Sequence, residues 1–111
     1  ALVLVGNYLW VIPEAGSAEE ARPENTLVHF YRYVRAGDGF RFEREFEYLI
    51  DRNICPSESL GGISEVVAVP NRNGEPDPNR LLVLERCYQR PSVTARLYEA
   101  RVDEATGRIT K

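Results

Sequence analysis

The 111-residue sequence has no methionine, one histidine, one tryptophan and two cysteines. Each scarcity narrows the possibilities. His29 is the only histidine, and no acid or nucleophile stands beside it, so it reads as a packing or surface residue. No G-x-S-x-G nucleophile elbow is present. Cys55 and Cys87 lack metal-ligand spacing, which argues against zinc. Lys and Arg total 14 against 17 Asp and Glu, and the signs are interspersed. Nothing therefore recommends a nucleic-acid partner, which would call for a clustered basic surface. No apolar run approaches the roughly 20 residues needed for a membrane-spanning helix. The N-terminal run ALVLVGNYLWVI lacks the basic flank of a signal peptide, and Gly6-Asn7 breaks it as a turn would. The missing methionine, together with Ala1, suggests a processed product, a fragment or part of something longer.

What is present is strand. The chain is 43% hydrophobic and 28% charged, a balance that supports a folded core rather than disorder. Apolar, aromatic and β-branched runs fall at 2–5, 8–12, 26–34, 40–50, 63–69, 81–87 and 94–102, and a last one begins at 108. Between them lie turn signals: Gly6-Asn7, Ala36-Gly37-Asp38-Gly39, a long NRNGEPDPN turn at 71–79, and 103–107. The run 40–50 alternates most cleanly. Its pattern predicts Phe42, Phe46, Tyr48 and Ile50 on one face, with Arg41, Glu43, Glu45 and Glu47 on the other.

The strands repeat. Val34 and Gly39 match Val102 and Gly107, LWVIPE (9–14) matches LLVLER (81–86), and ALVLVGN (1–7) matches EVVAVPN (65–71). Strands 63–69 and 81–87 are mostly apolar on both faces and so call for cover on both sides, whereas 41–50 has a charged face. A run from buried to exposed strands, followed by a Gly-rich connector, fits a β-propeller blade. The expected fold is all-β: two adjacent four-stranded antiparallel blades of an incomplete propeller. Residues 1–50 form the first blade, 51–62 the connector and 63–111 the second. Because a propeller has at least about four blades, the remaining blades are expected from the same polypeptide or another chain. A free-standing small β-sandwich is the structural rival.

The segments GGISEVVAVP, NRLLVLER and ARLYEARVDEATG, in this order, resemble the phytase-like family, also described by the esterase-like activity of phytase. The preceding TLVHFYRYV, FRFEREFEYLID and LWVIPEAG resemble its earlier strands, so the likeness spans nearly the whole chain. NRNGEPDPN lengthens a turn that is usually short in the family. Cys87 stands where an acidic residue or glycine is usual. The resemblance implies a secreted or organelle-lumenal propeller, with calcium as the candidate cofactor and phosphate or other esters as candidate substrates.

The candidate site residues come from the strands. Glu65 is expected to share a face with Ile63, Val67 and Val69. There it serves either as an axial metal ligand or general base, or as a strand-end residue in water or a salt bridge. Glu85 and Arg86 end the next strand on opposite faces. Arg86 is either the fork that holds a phosphate or carboxylate, or one half of an ion pair between blades. Glu85, Glu65 and Arg86 are the catalytic candidates, and Glu14 and Glu65 the metal candidates. In an oxidising compartment Cys55 and Cys87 pair, worth about 3–4 kcal/mol by chain entropy. Otherwise they are unrelated buried thiols. Two functions are open: a metal-dependent ester or phosphoester hydrolase acting on a small phosphoester, and a non-catalytic propeller serving as a binding or structural subunit. Three or more acids converging on the axial channel favour the first. An apolar plug favours the second.

Overall fold

Apolar residues recurring at every second position, punctuated by glycine turns, leave the backbone one economical arrangement, the antiparallel meander. The computed structural model shows it twice. The structure describes residues 1–13, 27–51, 60–89 and 92–111. Among them there is no helix and there are eight strands: β1 (Leu2–Val5), β2 (Tyr8–Val11), β3 (Leu27–Ala36), β4 (Gly39–Leu49), β5 (Leu60–Pro70), β6 (Pro76–Gln89), β7 (Ser92–Asp103) and β8 (Arg108–Thr110). All eight expected strands are present. The internally matched segments hold the same rank in each set, with β1 against β5, β2 against β6, and β3 against β7.

Within each set, consecutive strands pair antiparallel. The sets do not stand apart. β4 and β8 pair in parallel, with Glu47 opposite Arg108 and Tyr48 opposite Ile109, and the Glu47 N–H donates to the Gly107 carbonyl at 2.9 Å. The result is one eight-stranded sheet in the order β1-β2-β3-β4-β8-β7-β6-β5. It curls until β1 comes against β5 and β6, nearly closing a barrel. Exposed strand edges carry unpaired N–H and C=O groups, and joining β4 to β8 removes two of them. The two-sheet sandwich is thus not formed. The fold is all-β, and it places β4 inside the sheet order and β5 at its end.

The inner face is the core. Trp10, Phe30, Phe46 and Tyr48 are fully buried, joined by Ile12, Ile63, Val66, Leu81, Val83 and Ala100. Phe30 stacks on Tyr48 with centroids 5.0 Å apart, and Trp10 lies 5.2 Å from Phe46. Such aromatic contacts add about 0.5–1.5 kcal/mol each beyond the burial of area. The outer face mixes charged residues such as Glu45, Glu47 and Glu99 with uncovered apolar ones. Leu2, Leu4, Leu49, Val67, Val93 and Leu97 are all exposed. Cover on both faces, expected for 63–69, is therefore met on one face only.

Two register shifts alter the expected faces. One lies between Arg32 and Tyr33, where Arg32 faces Arg44 but Tyr33 faces Phe42. The extra β4 residue, Glu43, is displaced by this bulge, and a shift of one residue exchanges faces. Phe42 accordingly leaves the face of Phe46 and packs edge-on against Tyr33 at 5.5 Å, while Glu43 turns to Arg32. The second shift lies between Ile63 and Glu65. Ile63 is buried while Glu65 is exposed, so they do not share a face. The long turn also shortens. β6 extends back to Pro76, and the turn at 71–75 is closed by Asn71, whose side-chain oxygen accepts the N–H groups of Asn73 and Glu75. Proline is tolerated there at the start of the strand.

Candidate functional site

Two polar centres interrupt the inner face, and each joins the first strand set to the second. The first is built on Arg32. Its place on β3 follows Val28 and Phe30 at alternate positions, which carries it inward, and it is 1% exposed. Its Nε and Nη2 donate to Glu43 at 3.0 and 3.2 Å. Its Nη1 and Nη2 donate to Glu104 in the β7–β8 turn, the latter at 2.8 Å. The guanidinium lies 4.3, 4.8 and 5.5 Å from the ring centroids of Tyr8, Phe46 and Trp10. Burial works against its charge, but the Glu104 and Glu43 carboxylates outweigh burial and hold its pKa above the ordinary value. The hydrogen bond from Arg32 holds Glu104 below the usual carboxylate range. Arg44 adds a 2.8 Å bond to the Glu104 carbonyl. Gly107 makes this turn possible. Its φ is +73°, and a Cβ there would meet Arg44 Nη2 at 2.9 Å.

The second centre is built on Glu85, which has no exposed surface. Tyr48 from β4 donates its hydroxyl to Glu85 Oε2, the Asp51 N–H donates to Oε1 at 2.6 Å, and Lys111 Nζ donates to Oε2 at 2.7 Å. Tyr98 from β7 donates its hydroxyl to Asp51. Burial, then the hydrogen bond to Glu85, pushes the Tyr48 hydroxyl well above its ordinary pKa. Burial and the bond to Asp51 raise Tyr98 as well. A buried carboxylate is costly unless hydrogen-bonded and paired, and these donors satisfy it.

The expected site residues fall into three groups. Glu85 is inside and fully engaged. Arg86, next along β6, is on the outer face, as the opposite-face expectation required. Glu65 lies on that outer face too, opposite Leu84, which makes it a diagonal neighbour of Arg86. One Glu65 oxygen accepts the Val66 N–H at 3.1 Å. Glu65 and Arg86 thus share the outer face, and Glu85 lies on the inner one. Glu14 and Cys55 lie outside the described residues, and so does the Cys55–Cys87 pairing. Cys87 itself is buried on the inner face of β6.

Calcium takes about six to eight oxygen ligands. Among the described residues, no group of three or more His, Cys, Asp or Glu is placed to hold a metal ion. Glu85 already carries an ammonium, and Glu65 stands without a second acid on its face of β5. The described residues alone do not fit calcium. An open hollow of about 520 Å³ beside the β7–β8 turn, lined by Arg101, Asp103 and Glu104 among others, includes none of the expected site residues.

Sequence reasoning missed Arg32, Glu104, Tyr48, Asp51, Tyr98 and Lys111 as site-forming residues. The one readable signal was an arginine at an inward position of an alternating strand. A family model for phytase-like proteins, described as esterase-like activity of phytase, matches residues 1–111. No curated protein and no solved structure matches the chain. With its two antiparallel four-strand sets and a match over its whole length, the chain belongs to the phytase-like family, a β-propeller family.

Proposed function

We propose that this chain supplies two neighbouring blades of a phytase-like propeller that hydrolyses ester or phosphoester bonds on the outer face carrying Glu65 and Arg86. The observation that carries this reading is their place on one face, as diagonal neighbours in the β5–β6 register. Glu65 stands opposite Leu84, Arg86 lies two residues along the same face of β6, and Val67 and Leu97 are exposed on that face. In this role Glu65 acts as general base on the attacking water. Arg86 holds the phosphoryl or acyl oxygens with its planar fork. The proton taken from water passes to the departing alcohol. Glu85 fixes the two strand sets together. Further catalytic groups come from the blades that cover this face, as do the oxygens calcium requires beyond Glu65 and Glu14. A secreted or lumenal setting, with Cys55 paired to Cys87, belongs to the same proposal.

The test is hydrolysis of p-nitrophenyl acetate and p-nitrophenyl phosphate by the assembled propeller, with and without calcium. Glu65→Gln is expected to lower kcat by about 10²–10⁴-fold, the usual worth of a general base. Arg86→Lys, which keeps the charge and loses the fork, is expected to raise KM. Turnover unchanged in both variants would remove the hydrolytic role. The exposed apolar residues of the outer face favour a second reading, a non-catalytic platform that binds a partner there. Absence of turnover in the intact propeller selects it.

A further inference from the structure

Lys111 sits in a cage that the fold builds without it. Its ammonium lies 2.7 Å from Glu85 Oε2, and 4.5 and 4.9 Å from the ring centroids of Tyr98 and Tyr48. Both rings are within the roughly 6 Å over which a cation is attracted to an aromatic face. Tyr48 comes from β4, Glu85 from β6 and Tyr98 from β7, so three strands fix the walls. Hydrogen bonds hold each wall in place: Tyr48 to Glu85, Tyr98 to Asp51, and the Asp51 N–H to the second oxygen of Glu85. None of these bonds involves the lysine. The carboxylate at the floor is fully buried. Lys111, by contrast, reaches in on a flexible four-carbon stem, and its side chain is 23% exposed. The walls are fixed by hydrogen bonds among themselves, and the lysine side chain reaches in from the solvent side.

We propose that this cage is a binding site for an alkylammonium ligand, and that Lys111 is a tethered occupant which such a ligand displaces. The chemistry selects the ligand class. A buried carboxylate repels phosphates and carboxylates. A hard divalent ion would find too few oxygens. An ammonium gains one charge-assisted hydrogen bond and two ring faces. The site is independent of the hydrolytic reading, because Glu65 and Arg86 lie on the opposite face of the sheet. Tethering gives Lys111 an effective concentration on the order of millimolar, so it competes with a free amine and weakens its apparent affinity.

Titration of the full chain with methylammonium chloride, at constant ionic strength set by sodium chloride and followed by tyrosine chemical shifts, tests this. Lys111→Ala is expected to bind saturably and at least about tenfold more tightly than the unsubstituted protein, the competitor having been removed. Adding Glu85→Gln to Lys111→Ala is expected to abolish binding. Should Lys111→Ala fail to fold, Lys111→Met keeps the stem packed and is titrated the same way. A folded Lys111 variant without saturable methylammonium binding would overturn the proposal, as would binding that survives Glu85→Gln unchanged.

Discussion

Both faces of the sheet carry large apolar residues, and these have met different fates. On the inner face, Trp10, Phe30, Phe46 and Val83 are sealed, and the charges among them are paired. On the outer face, Leu2, Leu4, Val67 and Leu97 remain open to solvent, with Glu65 and Arg86 among them. Large exposed apolar patches mark interaction surfaces. One face is a finished core. The other carries the exposed apolar residues on which, in the proposed propeller, a neighbouring blade packs. The contrast also explains why the buried charges lie inside. Arg32 and Glu85 each reach a partner from the other strand set, so they fix how the two sets fit together, which apolar contacts alone leave loosely specified.

Breaking the inner face should have the largest effect. Trp10→Ala removes a fully buried indole and leaves a cavity. It is expected to destabilise the protein by about 3–5 kcal/mol, read as a fall in the urea midpoint. Glu85→Gln keeps the shape and removes the charge that receives Lys111, Tyr48 and the Asp51 N–H. A loss of about 1–3 kcal/mol is expected, and a variant as stable as the original would mean the centre contributes no net stability.

The two centres should also respond to opposite ends of the pH scale. Arg32 holds Glu104 below its ordinary value of 4.5. That contribution is present above about pH 4.5 and is lost as pH falls through the lowered value. Tyr48 is shifted the other way, above its ordinary 10.0. Its contribution is whole below about pH 10 and is lost as pH rises beyond it. Urea midpoints measured across pH should therefore fall at both ends. Glu104→Gln should flatten the acid limb alone, and Tyr48→Phe the alkaline limb alone. The smallest effect belongs to the outer face. Leu97→Ser is expected to change stability by no more than about 0.5 kcal/mol while weakening association with the covering blade.

The strands were legible because alternation and glycine turns are local signals. Gly6, Gly37 and Gly107 all have positive φ, and each stands at a turn the sequence marks. The faces of Phe42, Glu43 and Glu65 were not legible. A bulge shifts the register by one residue with no change in composition, and nothing near Arg32 or Ser64 announces it. The polar centres were hidden for a different reason. Arg32 and Glu104 are 72 positions apart, and Tyr48 and Glu85 are 37 apart. Such pairs exist only once β4 has joined β8, and no local pattern encodes that join. Of the expected site, the opposite facing of Glu85 and Arg86 followed from strand alternation alone. The place of Glu65 on the face of Arg86 required the bulge.

The most direct test of the outer face is a crystal structure of the assembled phytase-like propeller that contains this chain. Val67 and Leu97 are expected to be buried against another sheet, with Glu65 and Arg86 at that junction and the Arg32 and Glu85 centres unchanged. Val67 and Leu97 still open to solvent in the assembled protein would contradict the account.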